Sequence, residues 1–289
     1  MKKILSIIAY KGSYGVLYSV SLMPMSVLYG FSSFLYVLTY YIFGYRKSVV
    51  MQNISRSFPE KRYDEVNDMV KKFYLCFAAN FAEIIKSIST SPQKFDKKLT
   101  FVNLELIDNL IRSGKNVVVS MGHCGNWELL NFLSYKLSHD MYAVYKPLRS
   151  GTANLLMIKL RSRFGMKLIS NKSIARHMLK KEASPSIYYF LADQCPRIIE
   201  DKYRFEFLHQ TTFFFSGMEK LARISDSAVV YLHITQTSKG NYKIICKSLC
   251  TEPMTFKEGE ITQKYIDLLT ENINEEPHRW LWSHKRWKR

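Results

Sequence analysis

Acidic side chains are scarce in this sequence of 289 residues, where 24 Asp and Glu are outnumbered by 42 Lys and Arg. The resulting formal net charge of +18 favours a polyanionic partner, for which nucleic acid, an anionic membrane and an acidic carrier protein are the candidates. A basic surface that only aids solubility fits the same charge. Hydrophobic residues make up 47% of the chain, so a sizeable core can form.

Cysteine is also rare, and its placement excludes two common roles. The cysteines are odd in number, widely spaced and without a Cys-x-x-Cys pair: Cys76, Cys124, Cys195, Cys246 and Cys250. We therefore expect neither disulfides nor a metal site, and we predict that the catalytic part lies in a reducing cytoplasm. The sequence also lacks a Gly-x-Ser-x-Gly elbow, a Gly-rich phosphate loop and a dinucleotide fingerprint, which excludes the commonest hydrolases, kinases and dehydrogenases. No cofactor is expected.

One long segment, residues 12–45, contains no Asp, Glu, Lys, Arg or His. As a helix it would extend for about 50 Å, more than the ~30 Å of a bilayer core, and it is too long for an ordinary secretory signal. We predict that residues 1–45 form a membrane-associated region, either one tilted spanning helix near residues 25–43 or two shorter helices broken at Pro24. A pair of buried core helices is the alternative.

The remaining chain, residues 46–289, is predicted to be one domain that begins with helices. Residues 46–62 and 64–88 carry apolar side chains at helical spacing. From about residue 100, β-rich runs at 116–120, 142–145, 186–191, 228–235 and 242–246 are separated by helical runs at 126–137, 152–164, 173–181 and 212–224. This alternation predicts an α/β fold with a central mixed sheet.

The clearest chemical signal follows the first of these β-rich runs. A β-branched strand ends at a glycine, His123 lies in the turn, and a helix is predicted to begin near Asn126. Residues at the carboxyl end of such a strand lie where open α/β sheets bind ligands. His123 is therefore a candidate general base, and Glu128 a candidate acid that fixes its tautomer. A histidine that only caps the turn is the alternative, and Cys124 is an unfavourable nucleophile because adjacent side chains diverge.

The His-x4-Glu spacing alone is not specific, because His177 and Glu182 repeat it. That pair lies in a basic amphipathic stretch without a strand or glycine before it. Five positions along a helix turn by about 500°, which places the two side chains on different faces. We predict no catalytic role for them.

The segment from Gly122 to Leu129 resembles the His-x4-acid signature of the bacterial lipid A biosynthesis acyltransferases. Other similarities keep the family's order along the chain: residues 145–149, residues 160–165, Ala192-Asp193-Gln194 with Arg197, residues 211–212 with 221–223, and residues 276–288. The resemblance implies an inner-membrane enzyme facing the cytoplasm. Its donor is a thioester of acyl carrier protein or CoA, and its acceptor is a hydroxyl of a phosphorylated glycolipid. Cys124, Lys146 and Cys195 depart from the family pattern and leave the acceptor open.

The resemblance further implies direct transfer without an acyl-enzyme, with His123 as base and Glu128 holding its ring. The residues that we expect to bind donor or acceptor are Asn126, Arg149, Arg161, Arg163, Asp193, Gln194 and Arg197. A surface salt bridge is the alternative role of each arginine, and backbone N–H groups near Gly125 compete with Arg161 and Arg163 as oxyanion donors. Another glycolipid or an aminolipid is an alternative acceptor. A non-catalytic protein that binds anionic lipid is the alternative function; nucleic acid is not expected, because no binding module accompanies the charge.

The terminal segment, residues 280–289, interleaves three tryptophans with Lys285, Arg286, Lys288 and Arg289. Tryptophan prefers the headgroup layer, and basic side chains are attracted to anionic surfaces. We expect this segment to seat the domain on a membrane or to meet an anionic substrate. Alternatively, the tryptophans pack into the core and only the charges are exposed.

Overall fold

The computed structural model describes residues 2–180 and 184–287. Its helices are α1 Lys2–Leu22, α2 Met25–Val37, α3 Lys47–Ser57, α4 Tyr63–Ser87, α5 Pro92–Asp96, α6 Glu105–Arg112, α7 Leu133–Lys136, α8 Gly151–Arg161, α9 Ile174–Leu179, α10 Gly217–Ile224 and α11 Glu260–Glu275. Its strands are β1 Leu99–Val102, β2 Val117–Met121, β3 Met141–Tyr145, β4 Lys167–Ser170, β5 Ile187–Leu191, β6 Arg204–Phe207, β7 Gln210–Phe213, β8 Ala228–Ser238 and β9 Asn241–Cys250. A π-helical turn, Leu38–Ile42, extends α2, and a 3₁₀ segment, Trp127–Phe132, precedes α7.

A central sheet has the strand order β1-β9-β8-β2-β5-β3-β4. Neighbouring strands are parallel, except that β8 and β9 are antiparallel. The predicted α/β fold with a central mixed sheet is therefore confirmed. Strand β2 lies in the middle, and every residue from Val117 to Met121 is buried. Burial on both faces explains why this strand is a continuous apolar run rather than an alternating one.

The N-terminal helices pack against the rest of the chain. Helices α1 and α2 meet at Pro24, which is the break expected from the two-helix interpretation. Helix α2 lies along α4, and α1 contacts α4 and α8. The Nζ atom of Lys86 in α4 donates to the carbonyl oxygens of Ser21, at 3.0 Å, and Met23, at 2.8 Å, where a helix end leaves acceptors unpaired. The helical stretch Met25–Ile42 is long and apolar enough to cross a membrane, and only 17% of it is buried, so much apolar surface stays exposed.

The prediction of a helix over residues 212–224 is wrong for the first residues of that range. Strands β6 and β7 form an antiparallel hairpin there, and α10 begins only at Gly217. The turn between the strands has Leu208 at φ +50° and His209 at φ +59°, in the left-handed region that tight turns use. Thr212 is β-branched and pairs with Phe205 across the hairpin, so cross-strand packing outweighs the helical periodicity.

Candidate active site

The sheet brings His123 and Asp193 together through strand register. Strands β2 and β5 are parallel neighbours whose last residues, Met121 and Leu191, are aligned. His123 and Asp193 each lie two residues beyond these ends, so their side chains meet at the carboxyl edge of the sheet. His123 Nδ1 is 2.5 Å from Asp193 Oδ1, and the backbone N–H of His123 donates to Oδ2 at 2.8 Å. Asp193 is therefore the acid that orients the imidazole ring.

Asp193 is ionised at neutral pH despite being only 2% exposed. Burial by itself raises the pKa of a carboxyl group, but the attraction of His123 and hydrogen bonds from His123 and Trp280 outweigh it and lower the pKa of Asp193 to about 2. An ionised Oδ1 accepts the proton on His123 Nδ1. In this tautomer Nε2 is the ring nitrogen that can accept a proton from a substrate.

A segment near the C-terminus completes this arrangement. The indole N–H of Trp280 donates to Asp193 Oδ2 at 2.7 Å. Backbone bonds fix the approach: the Gly125 N–H donates to the Arg279 carbonyl oxygen at 3.1 Å, and the Leu281 N–H donates to the His123 carbonyl oxygen at 3.1 Å. This role of Trp280 is not predictable from local sequence, because a tryptophan among basic residues resembles a membrane-facing tail.

The terminal segment is more deeply packed than a membrane-seating tail requires. Trp280 and Trp282 are buried, as expected if the tryptophans pack into the core. Arg286 is buried as well, and its Nη2 donates to the Phe213 carbonyl oxygen at 2.6 Å. The expectation that Arg286 belongs to an exposed basic surface is therefore wrong, because its guanidinium satisfies the backbone of β7. Lys285 is exposed, and Lys288 and Arg289 lie outside the described residues.

Glu128 does not contact His123 in this structure. Its two carboxylate oxygens accept from Nε of Arg161, at 2.9 Å, and from Nη2 of the same residue. The ring that lies against His123 is that of Trp127, at 4.9 Å between centroids and 73° between planes. The 3₁₀ segment that begins at Trp127 thus directs the Glu128 side chain toward Arg161, the last residue of α8. The structure shows no hydrogen bond between Glu128 and His123, so the orienting role of Glu128 stays a prediction; its carboxylate holds Arg161.

An open cleft of about 510 Å³ lies beside His123. Nε2 of His123 is 3.2 Å from the side-chain nitrogen of Gln194, which lines the same cleft. Lys146 adds positive charge to the same cleft, whereas Arg161 and Lys220, also in its wall, are paired with Glu128 and Glu200. The predicted residues Arg161, Asp193 and Gln194 are therefore gathered around His123. Lys146 and Lys220 are cleft residues that the sequence did not single out as ligands.

A second cleft of about 360 Å³ continues the first, since both are lined by Asn171, Leu191, Gln194 and Phe215. Arg197 lies in this second cleft and is exposed. Its predicted role in binding stays a prediction, and its position fits a charged group of a substrate that extends away from His123.

Asn126 is buried at 1% exposure and supports the loop rather than lining the cleft. Its side-chain N–H group donates to Glu83 Oε2 at 2.9 Å, and Glu83 also accepts from the Tyr242 hydroxyl at 2.7 Å and the Tyr29 hydroxyl at 3.0 Å. Asn80, one turn earlier in α4, donates to the Gly125 carbonyl oxygen at 3.0 Å. The prediction that Asn126 binds substrate is therefore not supported, because its donors are directed into this buried network.

Two other predicted ligands lie away from the His123 cleft. Arg163 donates through Nη2 to the Thr90 carbonyl oxygen at 2.6 Å and lines a separate cavity between α1, α4 and α8. Arg149 is exposed in the loop between β3 and α8 and does not line the cleft. Arg161 is accordingly the better placed of the predicted arginines for an oxyanion near His123.

Cys124 and His177 fit structural rather than chemical roles. Burial raises the pKa of the Cys124 thiol well above its ordinary value, which disfavours the thiolate that a nucleophile needs. The ring of His177 packs against Tyr142 at 4.4 Å between centroids, and Glu182 lies outside the described residues. Among residues 2–180 and 184–287, no group of three or more His, Cys, Asp or Glu side chains is arranged to hold a metal ion.

Comparison with known proteins agrees with the geometry. The family described as bacterial lipid A biosynthesis acyltransferase matches residues 4–289. The lipid A biosynthesis acyltransferase 2 of Shigella flexneri is 21% identical over 142 residues, which are 49% of this chain and 45% of that protein. The lipid A biosynthesis acyltransferase of Haemophilus influenzae is 21% identical over 178 residues, 62% of this chain and 56% of that protein. The chain thus spans about half the length of the curated relatives that it matches. Because the family match covers nearly every residue, this chain belongs to the bacterial lipid A biosynthesis acyltransferase family.

Proposed function

We propose that this protein transfers a fatty acyl chain from a thioester donor to a hydroxyl group of a lipid A precursor. The observation that carries the proposal is the ionised, buried Asp193 bonded to Nδ1 of His123, with Nε2 of the same ring facing an open cleft. This is the arrangement of a general base whose tautomer is fixed. Family membership supplies the substrate class.

The transfer takes place in one displacement at the acyl carbon. His123 Nε2 removes the proton of the acceptor hydroxyl as the oxygen attacks the thioester carbonyl. An O–C bond forms and the C–S bond breaks, and the imidazolium returns the proton to the leaving thiolate. Asp193 stabilises the imidazolium, since an opposite charge beside a forming cation lowers its energy. Arg161, which Glu128 holds at the cleft, is placed to stabilise the oxyanion.

The basic wall of the cleft suits a phosphorylated glycolipid acceptor. Lys146, Arg161 and the adjoining Arg197 offer cationic groups to a phosphate. The donor is a thioester of acyl carrier protein or of CoA, both of which are anionic. Another glycolipid or an aminolipid remains the alternative acceptor, since Lys146 and Cys195 differ from the family pattern.

We further propose that the N-terminal helices bind the bacterial inner membrane and that the catalytic domain faces the cytoplasm. The apolar surface of Met25–Ile42 and the net charge of +18 both favour an anionic bilayer. A lipid acceptor then reaches the cleft without leaving the membrane.

Mass spectrometry of total lipids tests the proposal. Cells that carry the active protein should contain a glycolipid heavier by one fatty acyl group than cells that carry the His123→Ala variant. The mass difference identifies the transferred chain, and fragmentation identifies the acceptor. Identical lipid profiles in both strains, with both proteins folded in the membrane, would support the non-catalytic lipid-binding alternative instead.

A further inference from the structure

The separate cavity that Arg163 lines has a volume of about 370 Å³ and lies between α1, α4 and α8. Its wall is almost entirely apolar and includes Tyr14, Leu17, Phe81, Ile84, Leu156 and Met157. The volume is that of an ordinary ligand pocket, whereas packing voids in protein cores are rarely larger than a water molecule. A space of this size with apolar walls suits a hydrocarbon chain.

This cavity is separate from the site of transfer. It has no lining residue in common with the His123 cleft or with the cleft that continues it. None of its lining residues is an acid, a histidine or a cysteine, so the wall lacks a pair of groups like His123 and Asp193. A ligand held here would be bound and not transformed.

The surroundings of the cavity point to the membrane as the source of the ligand. Phe81 is 43% exposed and Leu148 is 49% exposed at its wall, and Val16 and Tyr18 of α1 are exposed beside Leu17. Large apolar side chains exposed next to an apolar cavity are unfavourable in water. A lipid chain that enters from the bilayer would cover them.

The positive charges at the cavity favour a lipid with an anionic headgroup. Lys159 and Arg163 are the charged residues among those that line it, and both are cations. The Arg163 guanidinium donates one hydrogen bond to Thr90, and its buried Nη1 has no hydrogen-bond partner among the described residues. A phosphate group at the edge of the cavity would pair with the positive charge of Arg163, and a small rotation of the guanidinium would give Nη1 an acceptor.

We propose that this cavity binds an acyl chain of an anionic membrane lipid that is not a substrate, and that Lys159 and Arg163 bind its headgroup. The proposal rests on the proposed membrane location of the protein. A lipid bound in this way joins α1 to α4 and α8, because its chain contacts all three helices. The cavity is thus a structural lipid site at the boundary between the N-terminal helices and the catalytic domain.

Photolabelling of the full chain tests this site. The protein is reconstituted in vesicles of phosphatidylethanolamine and phosphatidylglycerol, with a diazirine on one acyl chain of the phosphatidylglycerol. After illumination, labelled peptides should include the cavity walls in α1, α4 and α8. Ile84→Trp places an indole in the cavity and should lower labelling there by about tenfold or more, a loss equivalent to at least 1.4 kcal/mol of binding. Leu75→Trp, on the same helix but outside the cavity, should leave labelling unchanged.

Three outcomes would overturn the proposal. Labelling confined to the outer surfaces of α1 and α2, and equal in both tryptophan variants, would show that the cavity holds no lipid. Equal labelling from a zwitterionic phosphatidylcholine probe would remove the role of Lys159 and Arg163. Labelling of the cavity by a diazirine on the donor's acyl chain would make it part of the transfer site. Acyl transfer is assayed in the same vesicles. His123→Ala should abolish acyl transfer and leave cavity labelling unchanged. The two readouts therefore distinguish a failure of the lipid site from a failure of the proposed reaction.

Discussion

Replacing Asp193 by Asn should abolish the base function of His123 by reversing its tautomer. In the native protein, the His123 backbone N–H and the Trp280 indole N–H both donate to Oδ2 of Asp193. An asparagine must keep its amide oxygen at that position, so its NH₂ group replaces Oδ1. That NH₂ group donates to His123 Nδ1, which moves the ring proton to Nε2. The atom that faces the substrate then carries a proton and cannot accept one.

The loss of charge adds to the loss of the tautomer. The imidazolium that forms during transfer is no longer paired with a carboxylate. Two unit charges about 4 Å apart attract by about 4 kcal/mol at the effective dielectric constant of roughly 20 that suits protein sites. At 1.36 kcal/mol per tenfold in rate, the loss of charge alone should lower kcat for Asp193→Asn by about 10³-fold, and the reversed tautomer should lower it further. The KM for the donor should change much less, because Asp193 is buried behind His123.

The assay is acyl transfer by purified, membrane-reconstituted protein, with the folded state checked by thermal unfolding. Glu128→Gln is the matched control, since it removes the other acid that the sequence suggests. That variant should weaken the hold on Arg161, with a smaller loss of kcat and a lower unfolding temperature. A kcat for Asp193→Asn near that of the native protein would refute the reasoning. So would a larger loss for Glu128→Gln at unchanged stability, because Glu128 would then be the orienting acid.

Four further predictions follow from the described contacts. His123→Ala should lower kcat by at least about 10²-fold with the fold retained, and normal turnover would contradict the proposed base. Cys124→Ala should stay active, because burial raises the pKa of this thiol and disfavours a nucleophilic thiolate; an acyl adduct on Cys124 detected by mass spectrometry would contradict this. The pKa of Asp193 falls from 3.8 to about 2 on folding, so Asp193 should contribute roughly 2 kcal/mol of stability above about pH 4 that is lost as the pH falls toward 2. Urea unfolding across this range should show a weaker pH dependence for Asp193→Asn than for the native protein. Arg286→Gln should cost about 1–3 kcal/mol in the same assay, because it removes a buried charged donor, whereas the exposed Lys285→Gln should cost almost nothing; equal costs would show that Arg286 is not anchored to β7.

The position of His123 is predictable because a buried strand has a clear pattern in the sequence, a continuous run of apolar residues. Strand β2 is apolar at every position and ends at a glycine, so the turn that carries His123 follows from local pattern alone. The partnership with Asp193 depends instead on β2 and β5 being neighbours in register, which is a property of the whole sheet. Asp193 was recognised as a site residue, but its contact with His123 was not. The local His-x4-Glu spacing favoured Glu128 in its place.

Elements with weak patterns were missed for related reasons. Strands β1 and β4 lie at the two edges of the sheet and have only four residues each, with partly exposed side chains. Short edge strands lack the continuous apolar run that identified β2. The hairpin of β6 and β7 was mistaken for the start of a helix, because its cross-strand pairs cannot be read from one segment. Trp280 could not be assigned, because its partner Asp193 is 87 positions away.

Because Trp280 follows Asp193 by 87 positions, their contact can form only after the residues between them have been synthesised. A ribosome that has produced the chain up to Arg279 has already made the base, the acid and both walls of the cleft. The indole that holds Asp193, and the Leu281 N–H that fixes the His123 loop, have not yet been added. The base and the acid are therefore synthesised before the groups that hold them in place. A chain whose translation stops before Trp280 lacks the indole that holds Asp193 and the N–H group that holds the His123 loop.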